Sequence, residues 1–214
     1  MDNLRSEVWP LFSKPVFVAD IEMSNDETNN LLEHCNSQSY HQSQQEGGQE
    51  NGCELSINKD VLGELDWMNK KIEDKFKQFS DEVMHYENNL SVVNSWYTKT
   101  HMNEDTLYHH HSNYMWSGTF YFGNDDKYEQ RISFRDFNPG PFHVPNTKEN
   151  IYNSNGWSFS LKNNMVIFFP SEMNHMVVKN KYDTIRKSLA FNMLPLGDII
   201  IGGVKVKLHE KDKR

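Results

Sequence analysis

The 214-residue sequence predicts a mainly β fold, a jelly roll (double-stranded β-helix) with buttressing helices. From about Leu90 onward, short β-branched and aromatic runs are separated by turn residues, which is typical of strands in stacked sheets. The chain shows no alternation of strand and helix patterns, which disfavours a doubly wound parallel sheet. Its length favours a single domain over residues 1–214.

Ahead of these strands, the sequence predicts a polar loop and one amphipathic helix. Residues 36–52 are almost wholly Ser, Gln, Asn, Gly and Glu, so they bury little apolar surface and we expect a mobile surface loop. Seven apolar residues then recur at steps of three and four, the spacing of a helix face that packs against a sheet. They are Val61, Leu65, Met68, Ile72, Phe76, Phe79 and Val83.

Eight strands are predicted in the rest of the chain. Each is a short apolar run bounded by Asn, Gly, Pro or Asp. They cover residues 92–99, 115–122, 131–137, 157–161, 165–169, 175–179, 185–192 and 199–208. Strands in this number fit two facing sheets with the helix packed against one of them.

Composition excludes several functional classes. Lys and Arg number 22 against 30 Asp and Glu, and the formal net charge of -8 disfavours nucleic acid as a partner. No apolar run approaches the roughly 20 residues that span a bilayer, so we expect no membrane partner. The absence of a signal-peptide pattern and the presence of only two cysteines, Cys35 and Cys53, favour a cytoplasmic location. The sequence leaves the oligomeric state open, a homo-oligomer included.

Three consecutive histidines are the first indication of chemistry. On an extended backbone His109 and His111 point to one side and His110 to the other. Two imidazoles on one face can bind one metal ion, although a histidine-rich surface turn would give the same pattern. His175 begins a later predicted strand, which a jelly roll can bring alongside the first to complete a three-ligand face.

A candidate anion-binding pair follows His175. Arg186 and Ser188 share one face of the strand predicted at 185–192, where a guanidinium and a hydroxyl can together bind a carboxylate. Without the histidines, an ordinary surface salt bridge would be the preferred explanation for Arg186.

In their order along the chain, these motifs resemble those of the iron(II) and 2-oxoglutarate-dependent oxygenases. The resemblance is closest to a prolyl-hydroxylase-like branch found in phages and marine bacteria. It covers residues 92–194 closely and the N-terminal third only in general layout. The residues that carry it are Trp96, His109-His110-His111, Ser117-Gly118, Tyr121, Phe169-Pro170-Ser171, His175, Arg186 and Ser188.

The resemblance implies a site and a reaction. Fe(II) would be bound by His109, His111 and His175. The distal carboxylate of the cosubstrate 2-oxoglutarate would be bound by Arg186, Ser188 and Tyr121. No catalytic residue beyond the metal ligands is implied. The partners would be dioxygen and an unidentified peptide or small-molecule substrate, which is hydroxylated as succinate and CO2 are released.

One position departs from the wider superfamily, in which an acidic residue stands where this chain has His111. Asp105 or Glu104 could instead supply the second ligand, but the fixed i, i+2 geometry of a strand favours His111. Three other interpretations stay open. They are a cupin-type three-histidine dioxygenase that needs no 2-oxoglutarate, a non-catalytic jelly-roll module with a degenerate metal site and, more weakly, a hydrolytic zinc site.

Overall fold

The computed structural model describes residues 7–43, 52–138 and 145–208. Its strands form a seven-stranded sheet, a three-stranded sheet and a two-stranded hairpin. They are β1 (Phe17–Asp20), β2 (Tyr40–Gln42), β3 (Glu54–Ser56), β4 (Leu90–Thr100), β5 (Trp116–Tyr121), β6 (Arg131–Arg135), β7 (Gly156–Ser160), β8 (Met165–Pro170), β9 (His175–Val177), β10 (Arg186–Pro195), β11 (Asp198–Ile201) and β12 (Val204–Lys207). The α-helices are α1 (Asn25–Ser37) and α2 (Asp66–Phe79).

The strand order is that of a jelly roll, as predicted. The large sheet runs β1-β8-β5-β10-β4-β3-β2 and the small sheet runs β7-β6-β9, with antiparallel pairing between named strands. His109 forms an antiparallel bridge with His175, which adds a fourth position to the small sheet next to β9. The chain passes from the large sheet to the small sheet and back twice. It does so from β4 through the His109 segment to β5, and again from β8 through β9 to β10. Distant parts of the sequence therefore become neighbours.

The outer face of the large sheet packs against the helices. The predicted helix occurs as a 3-10 turn at Val61–Gly63, α2 and a π-helical turn at Ser80–Met84. Six members of the predicted apolar stripe are buried in this outer core, but Val83 is 56% exposed. The prediction for Val83 is wrong because α2 ends at Phe79, and the wider π-helical turn rotates later residues away from the sheet.

The N-terminal elements β1, α1, β2 and β3 were not predicted from the sequence. Helix α1 is mostly polar and is set at its start by a capping box, in which Ser24 and Glu27 each accept the other's backbone N–H. The prediction of a mobile loop over residues 36–52 is wrong for the described residues at the start of this range. Residues 36–37 end α1, and β2 follows them. The central part of that loop, residues 44–51, lies outside the described residues.

All eight predicted strands occur, but the last one is two strands. Between 199 and 208 the chain reverses at Gly202 and Gly203, whose φ angles of 57° and 81° lie in the left-handed region. The reversal separates β11 from β12, which pair as a hairpin. Within the described ranges, the helices are too short or too polar to cross a membrane.

The faces of the two sheets that look toward each other are only partly apolar. Their apolar core consists of Tyr121, Ile132, Phe134, Met165, Ile167 and Phe169. Strand β10, however, turns Arg186, Ser188 and Asn192 toward the same space, and all three are buried. Since buried polar groups are costly unless they are paired, this face of β10 marks the place to look for a site.

Candidate metal centre

Three imidazoles converge between the two sheets. One ligand nitrogen from each of His109, His111 and His175 lies within 4.8 Å of the others, which is close enough for the three to hold a metal ion. The ring centroids of His109 and His175 are 4.4 Å apart, and that of His111 lies 5.3 and 5.1 Å from them. His110 is exposed and outside the cluster, as strand alternation predicts. The structure thus brings together the three predicted histidines.

Backbone pairing holds the cluster in place. His109 and His175 exchange two backbone hydrogen bonds, with N to O distances of 3.0 and 2.9 Å. The His111 N–H donates to the Ser171 carbonyl at 2.8 Å. Each imidazole therefore starts from a backbone position fixed by the small sheet or by the end of β8.

The ring hydrogen bonds of His109 and His175 fix which nitrogen is free. Their Nδ1 atoms lie 2.8 and 3.0 Å from the carbonyl oxygens of Leu107 and Met173. A carbonyl only accepts, so each Nδ1 carries the proton and each Nε2 keeps a lone pair for a metal ion.

Burial keeps two of the rings neutral. It lowers the pKa of His175 to about 3, assisted by the neighbouring imidazoles, and it also lowers the pKa of His111. A neutral ring is the form that binds metal, so these ligands are ready at neutral pH without losing a proton.

The two acids considered as substitutes for His111 lie elsewhere. The Glu104 carboxylate accepts hydrogen bonds from the backbone N–H of His101 at 2.7 Å and from the side chain of Gln42 at 3.1 Å. Asp105 forms a backbone bridge with Gly52. Neither carboxylate joins the cluster, so the candidate ligand set is three nitrogens.

A second group of polar side chains lies on β10 and β5. Arg186 is 2% exposed, and its Nη1 donates to the Val178 carbonyl at 2.9 Å. Its Nη2 and the Tyr121 hydroxyl are buried and have no hydrogen-bond partner among the described residues. Ser188 lies directly opposite Tyr121 in the register of the two strands. The surface salt bridge considered for Arg186 is therefore wrong, since the side chain points into the interior.

The charge state of this second group suits an anion. Burial lowers the pKa of Arg186 to about 10, which leaves the guanidinium charged at neutral pH. Burial raises the pKa of Tyr121, so its hydroxyl keeps its proton and can donate. Leaving such donors unsatisfied costs about 1–3 kcal/mol each, so the arrangement fits a carboxylate ligand that satisfies both.

The polar residues behind the histidine cluster were not predicted from the sequence. His111 Nδ1 lies 2.5 Å from Asn192 Oδ1 and 3.0 Å from Ser117 Oγ. Asn192 occupies the same face of β10 as Arg186 and Ser188, and this alternation of polar residues was the available signal. Of the aromatic residues near the motifs, Trp96 lies beside His111 with ring centroids 5.8 Å apart, whereas Tyr97 and Trp116 belong to the outer core.

A cavity of about 500 Å³ lies along β6 and β7, and the three histidines are not among its lining residues. Met173 and Asn174, the two residues before His175, line it together with Phe134, whose ring centroid is 6.0 Å from that of His175. The rest of the wall combines aromatic side chains, Trp157 and Phe159 among them, with charged ones. This cavity offers space for a ligand near the residues that lead into His175.

Residues 94–192 match the model of a protein family described as "Putative 2OG-Fe(II) oxygenase". The matched region contains the three clustered histidines, Tyr121, Arg186 and Ser188. No curated protein shows significant sequence similarity to this chain.

Solved structures with the same fold include an oxidoreductase of the 2OG-Fe(II) oxygenase family, a prolyl hydroxylase and a protein with bound 2-oxoglutarate. An oxidoreductase of the 2OG-Fe(II) oxygenase family from Burkholderia pseudomallei is 10% identical, with 83% of this chain and 84% of that chain covered and a TM-score of 0.58. A prolyl-4-hydroxylase from Pseudomonas putida is 11% identical, with 84% and 92% covered and a TM-score of 0.57. HygX from Streptomyces hygroscopicus, solved with nickel, 2-oxoglutarate and hygromycin B, is 10% identical, with 85% and 83% covered and a TM-score of 0.56.

These findings confirm two predictions from the sequence. The family match confirms the resemblance to 2OG-Fe(II) oxygenases, and a prolyl-4-hydroxylase is among the solved structures that share the fold. The structural likeness, at identities near one in ten, confirms the jelly-roll fold. The origin in phages or marine bacteria stays a prediction.

Proposed function

We propose that this chain is an Fe(II)- and 2-oxoglutarate-dependent dioxygenase that hydroxylates a peptide or a small molecule and releases succinate and CO2. One observation carries the proposal. The region that matches the oxygenase family model contains both a three-imidazole cluster and a buried arginine with an unpaired nitrogen. A metal site and a carboxylate site together are what this chemistry requires.

In the proposed centre, His109, His111 and His175 bind the metal through Nε2. The free lone pairs of His109 and His175 and the neutral state of the buried rings support this assignment. When bound, Fe(II) would supply the activation of dioxygen and the oxidation of a C–H bond, while the protein supplies geometry and charge.

In the proposed cosubstrate site, Arg186 pairs with the distal carboxylate of 2-oxoglutarate. Its unpaired Nη2 and the partnerless Tyr121 hydroxyl support this assignment, and Ser188 lies beside them. The carboxylate would satisfy two buried donors at once, which favours a ligand that carries a carboxylate at this position. HygX, which shares the fold, has been solved with nickel and 2-oxoglutarate bound.

For the primary substrate we propose the cavity beside His175, in a prolyl-hydroxylase-like enzyme. The order of the motifs supports this branch, and the mixed aromatic and charged wall suits a peptide or an amphipathic small molecule. We further propose that residues 1–214 act as one domain in the cytoplasm, where the free thiols of Cys35 and Cys53 would stay reduced.

The decisive experiment is an anaerobic titration with Fe(II) and 2-oxoglutarate, followed by a succinate-release screen over peptides and metabolites with ascorbate present. The proposal predicts a visible charge-transfer band and succinate formation, both lost in Arg186→Ala. A Co(II) spectrum like that of the wild type would show that the variant keeps its metal site.

The alternatives predict different outcomes of the same experiment. A cupin-type dioxygenase would consume dioxygen without 2-oxoglutarate, and Arg186→Ala would leave that consumption largely intact. A non-catalytic module would give neither the band nor succinate. Either result would overturn the proposal.

The ligand set is tested by His111→Ala with Glu104→Gln as its matched control. Loss of a metal ligand should weaken Co(II) binding strongly. The effect should exceed the factor of about 10–100 that is expected when a residue hydrogen-bonded to a ligand is lost. Glu104→Gln should bind Co(II) as the wild type does, since the Glu104 carboxylate is engaged with His101 and Gln42. If Glu104→Gln weakens Co(II) binding and His111→Ala does not, the second ligand is Glu104 and not His111.

A further inference from the structure

We infer that Asn192 is a positioning residue for the metal centre, because its amide oxygen holds His111 in the tautomer and ring orientation that frees Nε2. The inference rests on the proposed metal site but not on 2-oxoglutarate chemistry. It explains how His111 can bind a metal ion at a position where most 2-oxoglutarate-dependent oxygenases have an acidic residue.

Asn192 lies at the centre of a buried polar network. It is 2% exposed, and its Oδ1 accepts from His111 Nδ1 at 2.5 Å and from Ser117 Oγ at 2.6 Å. Its Nδ2 donates to Asn94 Oδ1 at 2.9 Å. Strand register produces this meeting, since Asn192 pairs with Asn94 of β4 on one side and with Ser117 of β5 on the other.

The structure places the Asn192 amide with its oxygen toward His111. Asn94 Nδ2 donates to the Tyr114 hydroxyl at 3.0 Å, and Asn94 turns its oxygen to Asn192 and receives the amide NH2. Inverting both amides would place the Asn192 NH2 against His111 Nδ1. The imidazole proton would then sit on Nε2, where it blocks metal binding.

His111 is the only member of the cluster whose Nδ1 is bonded to side chains. The Nδ1 atoms of His109 and His175 bond to backbone carbonyls two residues earlier, Leu107 and Met173. A carboxylate ligand has no tautomer to control, but an imidazole at position 111 needs a fixed acceptor behind it. Asn192 supplies that acceptor.

The test measures Co(II) affinity of the full chain without 2-oxoglutarate. Asn192→Leu removes the amide acceptor at similar volume, leaves His111 Nδ1 only the more distant Ser117 Oγ, and should raise the Co(II) Kd by about 10–100-fold. Asn192→Asp keeps an acceptor oxygen and should restore the affinity to within about threefold of wild type. Asn180→Leu is the matched control, because Asn180 is equally buried and bonds the Thr100 and Thr184 carbonyls, away from the cluster.

A second readout separates positioning from a merely structural role. Proton NMR of the Co(II) protein should show three shifted, exchangeable Nδ1–H signals, one per histidine ligand. In Asn192→Leu one of the three should be lost to solvent exchange, while Asn180→Leu should keep all three even if its melting temperature falls.

Specific results would overturn the inference. An Asn192→Leu variant with a Co(II) Kd within about threefold of wild type and three retained signals would do so. If Asn192→Leu does not fold, Asn192→Asp carries the test, because a carboxylate acceptor should move one of the three signals and leave two. If all three Nδ1–H signals stay at their wild-type positions in Asn192→Asp, the inference is wrong. A chain that passes these tests yet makes no succinate would contradict the proposed function alone.

Discussion

At the scale of single residues, Tyr121 connects stability with cosubstrate binding. Its buried hydroxyl makes no hydrogen bond of normal geometry among the described residues, although the Thr119 side chain acts to lower its pKa, so Tyr121→Phe removes a poorly satisfied group. We expect the metal-free protein to keep its stability or to gain up to about 1–3 kcal/mol. The Kd for 2-oxoglutarate should rise roughly tenfold, since a hydrogen bond to a carboxylate contributes about 1.5 kcal/mol or more. Urea denaturation and titration of the charge-transfer band measure the two effects.

Tyr108→Phe is the control for this prediction. The Tyr108 hydroxyl has a partner, Ser133 Oγ, at 3.0 Å. Its loss should cost about 1 kcal/mol of stability and leave the 2-oxoglutarate Kd unchanged. A Tyr121→Phe protein that is less stable than wild type but binds 2-oxoglutarate equally well would show that the hydroxyl serves the fold instead.

The position of a site residue can be predicted from the sequence when the alternation of side chains along one strand is enough to place it. His109 and His111 are two positions apart on an extended segment, so their common side follows from the alternation of side chains. Asn192 could not be predicted in the same way, because its function depends on Asn94 and Ser117, which only the sheet register brings to it. A partner from a different strand has no signature in the local sequence.

At the scale of elements, α2 is held by its aromatic contacts with the large sheet. The Phe76 ring centroid lies 5.3 Å from those of Trp116 and Phe168, and the side chain is 1% exposed. Phe76→Ala should lower the free energy of unfolding by about 3–5 kcal/mol. Val83→Ala, from the same apolar stripe but exposed, should change it by less than about 0.5 kcal/mol.

Urea denaturation compares the two variants, and Co(II) titration of folded Phe76→Ala provides the control. Because α2 packs on the face of the large sheet that looks away from the histidines, the Co(II) Kd should not change. Equal losses in the two variants would mean that the π-helical turn packs as tightly as α2 does.

Some elements were predictable because they carry a continuous run or a regular stripe of apolar residues. Strand β8 is buried over five consecutive residues and α2 has a regular apolar stripe, so both are evident in the sequence. Helix α1 buries only Leu31 and Cys35, and β2 has no buried residue. Their formation depends on capping and on pairing with a neighbouring strand, which local hydrophobicity does not record.

At the scale of the whole molecule, the two proposed ligands would join the two sheets. His175 and its bridge partner His109 belong to the small sheet, whereas Arg186 begins β10 of the large one. Strand count in the sequence indicated two sheets, but which strands lie side by side depends on long-range pairing that a linear pattern does not contain. Because of that pairing, metal and 2-oxoglutarate bound together should link the two sheets and stabilise the folded state. We call this link the clamp.

Thermal or urea unfolding measures the clamp, with Ni(II) as an oxygen-stable substitute for iron. At about 100 times its Kd, each ligand should stabilise the folded state by about 2.7 kcal/mol. The 2-oxoglutarate increment should nearly vanish without Ni(II), because a metal held by the three histidines would supply much of the binding energy. Arg186→Ala should lose the 2-oxoglutarate increment and keep the Ni(II) increment, since the three imidazoles are untouched. If 2-oxoglutarate stabilises the metal-free protein just as much, it binds away from the histidines and the two sheets are not joined through it.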